Sequence, residues 1–176
     1  QMCIRDRYKP TKVIQSISPS MDIQVASNFE RILFYLCEES SEDLSILMNN
    51  LKSHGYFKLS SKQLKNLKDY FSASSCSEDE TLTIIKDIYN KSNYLIDPHT
   101  ATGVKPLLND KYKKESCFCF ETAHPSKFPE AILKAINQKP QFPKNFKTIE
   151  NKNEHFSILD NEIDQVKEFI IEKAQV

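Results

Sequence analysis

Apolar residues recur along much of the chain at the three-and-four spacing of a helix, and most of these runs follow a small polar residue. Ser27 with Glu30 three residues on predicts a helix whose stripe is Phe29, Ile32, Leu33, Leu36 and Cys37. Ser40 and Asp43 repeat the signal ahead of Leu44, Leu47, Met48 and Leu51, and His54 and Gly55 supply the stop. A third helix is expected from Ser60, with Gln63 three residues later and Leu64, Leu67 and Phe71 buried. Ser77 with Glu80 opens a fourth, carrying Leu82, Ile85, Ile88 and Tyr89. Asp97 is a capping residue and Pro98 a first helical residue, placing Ala101, Val104 and Leu108 inward. Phe128, Ala131, Ile132 and Ala135 share a further helical face. Asp160 is expected to cap a last helix bearing Ile163, Val166 and Ile170.

Two runs have the period of a strand instead. Residues 12–17 (KVIQSI) end at Ser18-Pro19-Ser20, and residues 117–120 (CFCF) lead into Glu121-Thr122-Ala123-His124-Pro125. Two short strands among so many helices cannot build a full parallel sheet. The pattern therefore predicts a piece of an α/β layer whose other strands lie elsewhere. Residues 1–9 are charged and read as a ragged or non-native start without function, and the proline-punctuated stretch from Gln138 to Pro143 as a linker. The expected organisation is residues 10–139 as one body with a helical insert at about 40–93, followed by linker and helix over 140–176.

Composition narrows the chemistry. The 176 residues include only two glycines, Gly55 and Gly103, where average usage gives roughly 12. No Walker loop, dinucleotide fingerprint or glycine-rich phosphate cradle can be written. With 24 basic and 24 acidic side chains the net charge is zero, which argues against nucleic acid as a partner. No run approaches the roughly 18 apolar residues of a membrane span. The five scattered cysteines, Cys3, Cys37, Cys76, Cys117 and Cys119, fit reduced thiols of a cytoplasmic protein rather than a disulfide framework. Cys117 and Cys119 with His99 and His124 could be imagined as a metal site, but without a second cysteine pair buried structural thiols are the preferred reading.

Three segments can carry chemistry: 18–31, 97–103 and 122–127. Two of them lie between a strand-like run and a helix, where open α/β sheets place their ligands. Thr122, His124 and Lys127 cluster after the second strand-like run, and a plain turn explains them as well. His99 can be an ordinary first-turn histidine, while Asn28 and Arg31 can meet an anion or make a local ion pair. His54 and His155 carry no signal. Nothing brackets a nucleophile with its base.

Taken together, SPSMDIQVASNFER at 18–31, YLIDPHTATGV at 94–104 and TAHPSKFPEA at 122–131 resemble the carboxy-terminal portion of threonine synthase, in the family's order, from about Lys12 to the end. The resemblance implies α/β architecture: a mostly helical carboxy-terminal part, with a few short parallel strands, of the tryptophan-synthase-β-like fold. It implies pyridoxal 5'-phosphate as cofactor, with conversion of O-phospho-L-homoserine and water to L-threonine and phosphate. Thr122 matches the family's hydroxyl beside the pyridine nitrogen, a neutral group that does not force that nitrogen to stay protonated. Asp97, His99 and Thr100 match a segment expected to line the cleft, and His124 and Lys127 match the third motif as supporting residues. Asn28 and Arg31 match positions in the first motif, and a substrate-facing role is our own expectation for them.

The lysine that holds the cofactor belongs to an amino-terminal part that the matched segments do not include. Lys58 and Lys147 each follow a phenylalanine, but neither lies in a segment like that lysine's. The chain is therefore expected to be a fragment, inactive alone, needing the missing amino-terminal part as partner. The alternatives are a non-catalytic helical interaction module and another enzyme of the same cofactor fold, similar to serine or threonine deaminases.

Overall fold

Most helices among the described residues begin where a polar cap meets an apolar stripe, and local hydrogen bonds show why. The computed structural model describes residues 7–109, 112, 116–146 and 152–174, in two compact units, Gln1–Gln141 and Phe142–Val176. The first unit carries helices α1 (Phe29–Leu36), α2 (Ser41–His54), α3 (Ser61–Tyr70), α4 (Glu78–Ser92), α5 (Pro98–Val104) and α6 (Pro129–Ile136). Ser40 accepts from the Asp43 N–H, and Gly55 ends α2 in the left-handed region at φ 74°. Ser60 with Gln63 and Ser77 with Glu80 complete reciprocal capping boxes.

The box expected from Ser27 and Glu30 does not form. Asn28 occupies the cap position of α1 with helical dihedrals (φ −84°, ψ −9°) and makes no side-chain bond to the helix end. A residue already in helical geometry cannot turn a side chain back onto the free N–H groups as an extended one does. The far end of α1 closes with a Schellman arrangement: Glu38 N–H to Tyr35 O at 3.1 Å and Glu39 N–H to Phe34 O at 2.9 Å. Both glutamates stand at positive φ, 55° and 63°.

Two apolar clusters form the core of this unit. The first joins α1, α2 and α3 through Leu33, Leu36, Cys37, Leu47, Leu59 and Leu67, with Tyr8 and Phe57. The second joins α4, α5 and α6 through Ile84, Ile85, Ile96, Ala101, Ile132 and Ala135. Phe71 and Leu108, expected inside, are exposed. Phe71 follows α3 in extended geometry (φ −128°, ψ 140°), and Leu108 lies in the tighter helical turn Lys105–Leu108, whose three-residue period rotates it off the face of α5.

The strands also differ from expectation. Those that form are β1 (Arg7–Tyr8) and β2 (Phe57–Lys58), an antiparallel pair with Tyr8 opposite Phe57 and their rings stacked at 4.9 Å. Residues 12–17 and 117–120 lack strand pairing among the described residues; Val13, Ile14, Phe118 and Phe120 are exposed. A strand exists only with a partner, and these runs have the composition without one. The architecture remains mostly helical α/β, with the short pairing antiparallel rather than parallel.

In the second unit α7 (Ile163–Ala174) starts three residues beyond Asp160. Asp160 instead offers its carbonyl to the Glu162 N–H, and Glu162 stands at the cap position. No residue of α7 is buried, so Ile163, Val166 and Ile170 are exposed. Among the described residues no helix is long and apolar enough to cross a membrane. Cys3 and Lys147 lie outside the described residues.

Candidate functional site

Asp97 caps α5 from an extended conformation (φ −82°, ψ 165°), and Pro98 follows where an N–H would lack a partner anyway. Its Oδ1 accepts from the His99 N–H at 2.8 Å and from His99 Nδ1 at 2.9 Å. Its Oδ2 accepts from the Thr100 N–H at 3.3 Å and from the Thr100 hydroxyl. Asp97 is fully buried, and His99 and Thr100 are nearly so. A carboxylate taken out of water needs its lone pairs filled, and four donors within three residues fill them.

The other ring nitrogen of His99 faces the first motif. The main-chain N–H of Ser20 donates to Nε2 at 3.2 Å. An amide N–H can only donate, so Nε2 is unprotonated and the proton sits on Nδ1, aimed at Asp97. The Phe128 ring leans on the imidazole at 4.7 Å with a 54° tilt. One side chain of the 94–104 segment thus meets the 18–31 segment through Ser20 and the 122–131 segment through Phe128.

The extended run before Thr122 is tied to the same helix. The Cys119 thiol donates to the Thr100 carbonyl at 3.7 Å, and Tyr94 donates its phenol to Glu121. Burial, then the nearby Asp97 carboxylate, pushes the Cys119 thiol up from its ordinary value; the Glu121 carboxylate raises the Tyr94 phenol. Cys117 is exposed and Cys37 buried, so the thiols are not uniformly structural. Among the described residues no three metal-ligating side chains cluster.

Asp97, His99 and Thr100 come together as a buried, internally satisfied knot. Thr122 is exposed at the end of the extended run. His124 caps the turn Pro125–Lys127, its Nδ1 accepting from the Ser126 N–H at 3.2 Å, and Lys127 is exposed. Asn28 and Arg31 are exposed at the start of α1. Ser20 and Phe128 had no part in the sequence-based site: the first acts through its main chain, and the second counted only as an apolar face residue. Ser18 was missed as well. It is buried, and its hydroxyl has no partner among the described residues. A recess of about 310 Å³ between α4 and α6, lined by Lys86, Tyr89, Asn90 and Lys134 among others, contains none of the motif residues.

The carboxy-terminal family of threonine synthases ("Threonine synthase, C-terminal") matches residues 100–170. Threonine synthase of Pseudomonas aeruginosa is 34% identical over 167 residues, covering 94% of this chain and 36% of that enzyme. The Schizosaccharomyces pombe threonine synthase is 37% identical, covering 87% of this chain and 32% of its own length. The structure superposes on the crystal structure of pyridoxal-phosphate-bound threonine synthase from Brucella melitensis with a TM-score of 0.81 and 36% identity, over 97% of this chain and 37% of that one. In sequence and fold, the chain matches the carboxy-terminal part of threonine synthase. It spans about a third of the length of these relatives.

Proposed function

We propose that this chain contributes the carboxy-terminal part of a threonine synthase, a lyase that uses pyridoxal phosphate to convert O-phospho-L-homoserine and water to L-threonine and phosphate. The observation that carries the proposal is the TM-score of 0.81, over 97% of the chain, with a threonine synthase whose cofactor is bound. Helical interaction modules and deaminase-like enzymes have no comparable support.

The residues present fit the cofactor in one respect. The Thr122 hydroxyl is exposed, at the end of an extended run held to α5 by Cys119 and to Tyr94 by Glu121. It is free to hydrogen-bond a pyridine nitrogen laid against that run, and being neutral it leaves that nitrogen's proton uncommitted. When bound, pyridoxal phosphate supplies the electron sink for bond cleavage next to the amino-bearing carbon. His124 fixes the turn that follows Thr122, and the Asp97–His99 knot holds the segment behind it. Asn28 and Arg31, exposed at the amino-terminal end of α1, are the residues we expect to meet an anionic substrate group. We read residues 40–93 as a helical insert on this fold and 140–176 as a linker and helix. The setting is cytoplasmic, the partner is the amino-terminal part of the same enzyme, and neither membrane nor nucleic acid takes part.

The test joins this chain to the amino-terminal two-thirds of the Pseudomonas aeruginosa relative and measures phosphate release from O-phospho-L-homoserine. Turnover by the chimera, lowered by Thr122→Ala, is the expected result, with no turnover by the chain alone. A chimera that folds and binds pyridoxal phosphate but releases no phosphate overturns the proposal.

A further inference from the structure

We infer that His99 is a positioning residue that seats the turn Pro19–Met21 on α5 only while its Nε2 is unprotonated, so that acid unlatches the first motif from the second. The inference stands on the geometry of this chain and is independent of the threonine synthase reading.

The imidazole has two partners of unequal mobility. Nδ1 faces Asp97, whose carboxylate is held by the N–H groups of His99 and Thr100 at the start of α5. Nε2 faces the N–H of Ser20 at 3.2 Å, in a three-residue turn whose sequence lies 79 residues away. A second proton on His99 can go only to Nε2. That places two donors head to head with no acceptor between them, in a site where His99 is nearly buried. Asp97 cannot retreat without uncapping α5, so the turn is the part that gives.

The surrounding groups agree with this direction. Asp97 is the charged group against the ring from α5. From the extended run comes Cys119, whose thiol is kept protonated by burial and by Asp97. Phe128 contributes an uncharged face before α6. In the 18–31 segment Asp22 is occupied by Ser16, whose N–H and hydroxyl both donate to it at 2.8 Å. Opening also has something to gain. The Ser18 hydroxyl, in the same segment, is buried without a partner and meets water once the turn lifts. The Ile17 N–H, bonded to Glu78 at 3.1 Å, tethers the segment just before the turn.

The test uses the full chain, isotope-labelled, and reads two signals between about pH 8 and pH 5, the range in which histidines ordinarily change charge. Long-range proton–nitrogen NMR of the His99 ring should show a bare Nε2 at the upper end, protonated at the lower. Over the same interval Ser20 amide protection, corrected for intrinsic exchange, should fall about fivefold to tenfold, the worth of one hydrogen bond. In His99→Gln, whose amide oxygen can accept in the place of Nε2 without titrating, Ser20 protection should be flat with pH. A His99 carrying its proton on Nε2 at pH 8 overturns the inference, as does Ser20 protection unchanged across the His99 titration. An acid-induced loss that persists in His99→Gln overturns it equally.

Discussion

The sulfur of Cys119 stands 3.1 Å from the point a β-carbon on Gly103 would occupy. One of the chain's two glycines is therefore accounted for by packing, since Gly103 sits within α5 without the positive φ of Gly55. Alanine is favoured over glycine by about 1 kcal/mol inside a helix. Gly103→Ala should realise that gain only where Cys119 no longer crowds it. In a Cys119→Ala background the substitution should stabilise the chain by about 0.5–1 kcal/mol, and in the parent by at least about 0.5 kcal/mol less. Equal effects in the two backgrounds, in a denaturant double-mutant cycle, would count against the contact.

Glu38 occupies the left-handed position of the α1 Schellman turn, where most helices place glycine. Glu38→Gly should stabilise by about 0.5–1 kcal/mol, because the relieved strain exceeds glycine's extra unfolded entropy. The ion pair lost with Lys62 is exposed and offsets little of this. Urea midpoints of the two chains, at unchanged slope, provide the comparison.

Cap removal should sort the serines. Ser60→Ala and Ser77→Ala each remove one arm of a reciprocal capping box and should cost about 1 kcal/mol. Ser27→Ala, one residue before the cap position of α1, should stay within about 0.5 kcal/mol of the parent. A thermal melt in which Ser27→Ala falls as far as Ser77→Ala would restore the capping box that the structure does not contain.

The thiols should separate by reactivity and by pH. Burial, ahead of the Asp43 charge, raises Cys37, and burial, ahead of Asp97, raises Cys119, so both hold their protons longer than an unfolded cysteine does. Iodoacetamide at mildly alkaline pH should therefore label the exposed Cys117 well before either. A folded value above the unfolded one contributes stability that is intact below the unfolded value of about 8.5 and is lost as pH rises through the folded one. Alkaline melts should show that decline, and Cys37→Ala with Cys119→Ala should flatten it.

How far the sequence was legible follows from how local each feature is. Ser40, Ser60, Ser77 and Asp97 announced their helices because a cap and its target lie within three residues of one another. Residues 12–17 and 117–120 misled for the opposite reason: alternation describes a strand's faces, while a strand needs a neighbour that its own residues do not encode. At the site, the hydrogen bonds of Asp97 to His99 and Thr100 could be read from an Asp-Pro-His-Thr run. The join of Ser20 to His99 could not, since a main-chain N–H leaves no mark in residue type. Thr122 was legible through its place after the second strand-like run and through the family motif, for an exposed hydroxyl has no pattern of its own.

The amino-terminal arm touches both apolar clusters, and that has a mechanical consequence. Tyr8 stacks into the first cluster, while Ile17 and Ser20 bond to the helices of the second. The stretch between them, with exposed Lys12, Val13 and Ile14, works as a strap under tension whenever one cluster begins to open. Two small cores so tied are expected to open together. A proteolytic nick after Lys12 would release only the Tyr8 end of that strap, since residues 18–28 still lead from the Ser20–His99 bond straight into α1.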